Sequence, residues 1–216
     1  MNKRDYQREL DEFTENLKRE GRVPSLLLHS CCAPCSSYCI EYLSKYFSIT
    51  VFYYNPNIYP EEEYRFRVAE QERFIGEFPA VHPVSFIEGD YDTDRFYEMA
   101  KGLEDEPERG ARCAGCFALR LKETAHRAAK LGMDYFATTL TLSPLKDAVV
   151  LNSIGEKCGA DAAVSYLATD YKKKNGYLKS TQLSKEYGMY RQDYCGCEYS
   201  LRDRDKRRAN HGIAEG

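Results

Sequence analysis

The nine cysteines of this 216-residue chain fall in clusters: Cys31, Cys32, Cys35 and Cys39, then Cys113 and Cys116, then Cys158 alone, then Cys195 and Cys197. Thiolates are soft metal ligands and the reactive form of the side chain, so clustering points to metal or redox chemistry. In CCAPC (31–35) adjacent thiols stand where an apolar burst, LLLH, ends and Pro34 opens a helix. Backbone N–H groups and the positive helix end favour thiolate there. Cys113-x-x-Cys116 has the spacing at which two thiolates reach one metal centre, and it follows Arg109 and Arg112. Cys31, Cys32, Cys113 and Cys116 together supply four thiolates, enough for zinc or for an iron–sulfur cluster. Adjacent cysteines suit tetrahedral zinc poorly and a cubane better, but on the residues alone both stay open. A disulfide across Cys195-Gly-Cys197 would close a small strained ring that is easily reduced, which suits a redox-active pair. Two further ligands, or two idle thiols, are the other reading. Cys39 and Cys158 read as small buried hydrophobes.

Other polar residues carry two readings each. His29 could donate to a sulfur or a substrate, or be hydrogen-bonded core. Asn55 and Asn57 suit a turn. Lys146, just after Ser143-Pro144, suits a phosphate near a helix start or plain solvent. Lys172-Lys173-Lys174 followed by Tyr177 combines a basic loop with an aromatic, which can meet a nucleic-acid backbone and stack a base.

The elements that must position these groups follow from periodicity. Tyr6, Leu10, Phe13 and Leu17 recur at helical spacing, so a leading helix is expected within 1–24. Short apolar runs at 25–30, 49–54, 84–87, 134–139 and 164–167 read as strands. Between them lie helical patterns at 34–46, 61–78, 94–101, 114–131 and 145–157, with another at 177–187. The acidic stretch 103–112 reads as a loop, and the tail after Arg202 as frayed. Strands alternating with helices predict parallel βαβ units with right-handed crossovers. The expected fold is a doubly wound, mainly parallel α/β sheet of Rossmann-like or HUP-like type, with helices on both faces. It should form one domain over 25–200, with a basic tail over 201–216. In such sheets ligands gather beyond the carboxyl ends of the strands, where nearly all the unusual residues fall.

Hydrophobic residues make up 43% of the chain, enough for a core and against disorder. No uncharged apolar run approaches the ~20 residues that span a bilayer. The charged N-terminus is unlike a secretory signal, so a cytoplasmic protein with reduced thiols is expected, without membrane contact. The net charge of −3 is unevenly spread. Residues 88–108 hold nine acids against two bases, whereas 170–208 hold eleven bases against six acids. That local field can hold a polyanion.

Five motifs converge on one family. HSCCAPCS, YNPNIYPEEEYRFR, RCAGCFALRL, TTLTLSPLKD and YKKKNGYLKSTQLSKEYGMYRQDYCGC, in this order over roughly 25–200, resemble the epoxyqueuosine reductase QueH family. The resemblance implies reduction of the epoxide of epoxyqueuosine to queuosine, at the wobble position of tRNA with GUN anticodons, without cobalamin. It implies a 4Fe–4S cluster on Cys31, Cys32, Cys113 and Cys116, and an additional iron ion for which Cys35 is the candidate ligand. Cys195 and Cys197 would form the redox-active pair, with an electron donor such as a ferredoxin or flavodoxin. Tyr54, His29 and Asp90 are then candidate proton donors. Lys172–Lys174, Lys179, Arg191 and the run 202–208 are candidate phosphate contacts. The rival expectation is a zinc-stabilised α/β tRNA-binding module without redox activity. A nucleotide-adenylating enzyme lacks support, since no phosphate-binding loop motif is found.

Overall fold

The computed structural model describes residues 4–210. Among these, five strands form one parallel sheet in the order β3-β2-β1-β4-β5. They are β1 (Ser25–His29), β2 (Ser48–Tyr53), β3 (Val84–Glu88), β4 (Tyr135–Thr138) and β5 (Ser165–Tyr166). The expected doubly wound α/β fold is borne out. The helices are α1 (Tyr6–Glu20), α2 (Ala33–Leu43), α3 (Glu61–Glu77), α4 (Thr93–Ala100), α5 (Ala111–Lys130), α6 (Ala148–Ala162), α7 (Gly176–Glu186) and α8 (Glu198–Asn210).

The central strand shows why the sheet is covered on both faces. In β1 the run Leu26-Leu27-Leu28 is fully buried, the near-continuous apolar pattern of an interior parallel strand. Successive side chains point to opposite faces. Leu26 and Leu28 therefore pack with Leu10 and Leu17 of α1, Ile40 and Leu43 of α2 and Phe74 of α3. Leu27 faces the other way, onto Ala125 and Ala128 of α5 and Phe136 of β4. His29 shares the parity of Leu27, so it too points towards α5.

β1 pairs with β2 on one side and β4 on the other, His29 standing opposite both Phe52 and Thr138. From β1 the chain first winds towards β3, then crosses back to β4. The strand order thus reverses between β1 and β4, and the crevice beyond their carboxyl ends is where such sheets bind ligands. Ser30-Cys31-Cys32 opens directly into it.

Two expectations about the chain outside the strands need correction. The segment beyond Arg202 is not frayed within the described residues: α8 continues to Asn210. It is held by Arg204 and Arg208, which donate to the Asp193 carboxylate at 3.0 and 2.7 Å. Residues 211–216 of the expected tail lie outside the described residues. The acidic stretch expected as loop over 103–112 is loop only to Gly110, since α5 already includes Ala111 and Arg112, and Arg112 gathers it, donating to the carbonyls of Leu103, Glu104 and Glu106 at 3.0, 2.9 and 2.6 Å. No described helix is long and apolar enough to cross a membrane.

Candidate functional site

The first thiol group forms where β1 hands over to α2. Cys32 is the extended residue that caps α2, and Pro34 lies in its first turn, where a missing N–H costs nothing. The sulfurs of Cys31, Cys32 and Cys35 all lie within 4.8 Å of one another, those of Cys31 and Cys32 at 3.8 Å. Cys31 also meets the turn that follows β4: its N–H donates to Thr139 Oγ1 at 3.4 Å, and its sulfur lies 3.7 Å from the same oxygen. The Cys31 thiol is held well below its ordinary value, first because Cys32 and Cys35 donate to its thiolate, then through Lys146 and Arg120. Cys32 is pushed up to about 12 by that neighbouring thiolate, and Cys35 is raised for the same reason. Of the three sulfurs, the shifts therefore favour negative charge on Cys31.

The second group sits on the first turns of α5. Cys113 Sγ accepts the Arg109 N–H at 3.2 Å. Cys116 is buried and accepts from Arg120 Nη1 at 3.5 Å, one helical turn along. Burial pushes both thiols up, with the Arg120 guanidinium opposing this at Cys116. Cys31 and Cys113 pack against the same apolar cluster of Phe117, Leu121, Leu140 and Leu151. The two stretches thus face a common interior.

Cys195 links them. It lines a cavity of about 370 Å³ with Cys31, Cys32 and Cys35, and an adjoining one of about 380 Å³ with Cys113. A third, of about 20 Å³, joins Cys195 and Cys197 to Cys113, Cys116 and Asn57. The Cys-Gly-Cys turn needs its glycine. Gly196 has φ +124°, and a Cβ there would come within 3.1 Å of Arg67 Nη1 and of Ile58. The Gly196 carbonyl accepts the Tyr59 N–H at 2.8 Å, and the Cys195 carbonyl accepts from Arg67 at 3.5 Å. So the NPNIYP loop and α3 clamp this turn against the sheet edge. Cys197 is pushed up to about 11 by burial, and then by Cys195.

Arg120 and Arg67 are what sequence reasoning missed. Arg120 is 1% exposed. It donates to Cys116 and, through Nε, to His29 Nε2 at 3.3 Å. Its Nη2 has no partner among the described residues, and no described carboxylate forms an ion pair with it. The signal was its place on the face of α5 that also carries Cys113 and Cys116. Lys146, which the sequence left open between a phosphate contact and a solvent-facing lysine, lines both larger cavities. Burial alone would lower its pKa, but its interactions with the sulfurs of Cys195, Cys31 and Cys35 outweigh that and raise it.

Other expectations divide. Burial and Arg120 push His29 down to about 3. Accepting from Arg120 at Nε2 leaves its Nδ1–H to donate to Thr138 Oγ1 at 3.0 Å. A neutral, buried imidazole so engaged has no acidic proton to give near neutrality. Tyr54 stacks on Phe52 at 6.0 Å beneath Arg95, facing the edge away from the thiols. Asn55 is a loop residue, its side chain donating to the Ser30 carbonyl at 2.8 Å. Cys39 is core, as expected, and Cys158 packs beside Phe136 and Tyr166.

The thiol donors and the uncompensated Arg120 suit a soft, anionic, thiolate-bound inorganic group. A sequence model of the family described as epoxyqueuosine reductase QueH matches residues 26–203. The chain belongs to the QueH family. It is 42% identical over 199 residues to an epoxyqueuosine reductase QueH from Streptococcus pyogenes serotype M1, covering 91% of this chain and 78% of that one. A QueH from Acinetobacter baylyi is 39% identical over 198 residues, covering 91% and 89%. One from Thermotoga maritima is 33% identical over 191 residues, covering 86% and 94%. Among solved structures, a predicted tRNA methyltransferase subunit from Methanocaldococcus jannaschii aligns with TM-score 0.51 at 14% identity, over 76% of this chain and 75% of that one. That likeness concerns the fold alone.

Proposed function

We propose that this QueH-family chain reduces the epoxide of epoxyqueuosine in tRNA to the alkene of queuosine, using a 4Fe–4S cluster and a Cys195/Cys197 dithiol. The observation that carries the reading is the meeting of three separate cysteine segments round adjoining cavities at the sheet's switch point. Cys31, Cys32, Cys113 and Cys116 would hold the cluster, and Cys35 is the nearest further sulfur for an additional iron ion. When bound, such a group supplies one-electron transfers and a Lewis-acidic iron.

The chain's own groups account for the rest. Deoxygenating an epoxide consumes two electrons and two protons and yields the alkene and water. Closing Cys195 and Cys197 to a disulfide releases two electrons and two protons, so the step balances. Reopening the disulfide then falls to an external donor such as a ferredoxin or flavodoxin. Burial keeps Cys197 a thiol near neutrality, so it retains a proton to give. Arg120 and Lys146 place positive charge beside the sulfurs, where negative charge accumulates on reduction.

The test is anaerobic purification with iron and sulfide analysis, visible spectroscopy, and nucleoside mass analysis of treated tRNA. The expected result is a brown protein that converts epoxyqueuosine to queuosine, and a Cys113→Ser variant that is colourless and inactive. A colourless, zinc-bearing wild type without turnover would overturn the reading in favour of a zinc-stabilised binding module.

A further inference from the structure

The cavity lined by Cys31, Cys32, Cys35 and Cys195 has a wall that the redox chemistry does not use. We propose that Tyr177, backed by Arg191, is the stacking platform for an unpaired base of the anticodon loop, next to the base being reduced. The proposal rests on the tRNA reading above and deepens it.

Tyr177 lines the same cavity as Cys31, Cys35, Lys146 and Cys195, yet it is 45% exposed. One side of the ring is occupied: the Arg191 guanidinium lies 5.7 Å from its centroid, and Nη2 donates to the phenol oxygen at 3.5 Å. Arg191 is fixed in turn, since Nη1 donates to the buried Ser184 Oγ at 2.9 Å. The platform is also referenced to the thiols. Ser180, one turn along α7 from Tyr177, donates to the Pro34 carbonyl inside the CCAPC turn at 2.8 Å. At the head of α7, Gly176 packs so closely that a Cβ would meet the Tyr171 carbonyl at 1.9 Å and the Tyr38 ring at 2.6 Å. An aromatic face is thereby held rigidly at the cavity mouth.

Charge selects the partner. Most of the lysines that the sequence offers to phosphate are already engaged. Lys172 pairs with Asp170 at 3.0 Å, Lys174 with Asp11 and Lys179 with Glu41 at 3.4 Å. Arg204 and Arg208 are taken by Asp193. Arg191 and Lys146 form no ion pair with any described carboxylate, and both line this cavity. A π-face beside uncompensated cations is the combination that holds single-stranded nucleic acid, largely whatever the base.

The test uses an RNA hairpin carrying a GUN anticodon loop, with 2-aminopurine placed in turn at each unpaired position. Wild type and Tyr177→Phe should quench the fluorescence at one position. Tyr177→Ala should lose that quench and bind the hairpin about tenfold more weakly, the scale of one lost base–aromatic stack. With epoxyqueuosine tRNA, Tyr177→Ala should raise KM by a similar factor and leave kcat within about twofold. Tyr177→Phe, which keeps the ring, reports whether folding at this position is intact. Tyr177→Ala with unchanged quench, hairpin affinity and KM would overturn the proposal. Quench and affinity are read without turnover, so a wild type that binds and stacks the hairpin but reduces nothing would refute the reductase reading while leaving the platform standing.

Discussion

Replacing Arg120 with methionine should make the metal-free protein more stable. The guanidinium is 1% exposed and reaches only Cys116 Sγ at 3.5 Å and His29 Nε2 at 3.3 Å. Its Nη2 has no partner among the described residues. Burial works against the guanidinium, and what outweighs it is sulfur alone, from Cys116, Cys31 and Cys195, with no described carboxylate paired to it. A buried charge without a carboxylate partner costs several kcal/mol to desolvate, and apolar replacements of buried ion pairs stabilise by about 1–4 kcal/mol. Methionine fills much of the same length, and His29 Nε2, freed from Arg120, can donate instead to the Tyr54 carbonyl 3.2 Å away. A gain of about 2 kcal/mol corresponds to a rise in Tm of roughly 4–8 °C for a chain this long. The assay is thermal unfolding of chelator-treated, reduced wild type and Arg120→Met. After anaerobic loading with iron and sulfide the order should reverse, with the variant losing iron faster, because the cation then faces an anionic group. A metal-free variant that melts below wild type would refute the reasoning, since the charge would then be compensated within the chain.

Asp134 ties the starts of β1 and β4, its carboxylate accepting from the N–H and hydroxyl of Ser25 at 2.8 and 2.7 Å. Those bonds hold its pKa below the ordinary carboxylate value. Its contribution is therefore present above the unfolded value and lost as pH falls through the folded one. Asp134→Ala should cost about 1 kcal/mol by urea unfolding at pH 7, and the gap should close as the pH falls below about 4. Gly196→Ala forces a Cβ onto positive φ against Arg67 and Ile58, and should destabilise by about 2 kcal/mol on the same assay. Asn152 is buried, its side chain bonding both the N–H and the carbonyl of Thr169 and accepting from the Tyr166 hydroxyl. Asn152→Ala should cost about 3 kcal/mol, read as a lower denaturant midpoint with an unchanged slope.

The sheet was legible because its strands are short apolar runs separated by long helical periods, and the parallel order follows from the crossovers those helices impose. The grouping of cysteines by spacing also survived. CCAPC had to sit at a strand end, and Cys113 and Cys116 had to share one helix face. Adjacency in the chain named Cys32, and the turn of α2 brings the sulfur of Cys35 into the same group. Local sequence put Arg120 on the face of α5 beside Cys116, but not against His29 of β1, 91 positions away. The basic C-terminal quarter misled in the opposite sense. Counted along the chain it is a surplus of positive charge, but folding brings Asp11 and Glu41 against Lys174 and Lys179, while Asp193, within the same segment, holds Arg204 and Arg208.

The clamp on the Cys195–Cys197 turn bears on how the protein is assembled in time. A polypeptide made from its amino end presents Cys31 through Cys116 before the segment that roofs them exists, and Arg67 and Tyr59 wait without their later partners. The half-made cavity is open to oxidants and stray ions during that interval. Any inorganic group installed there has its widest doorway before the roof closes, and a delivery route that works on the nascent or loosened chain meets far less steric resistance than one that must enter the finished molecule.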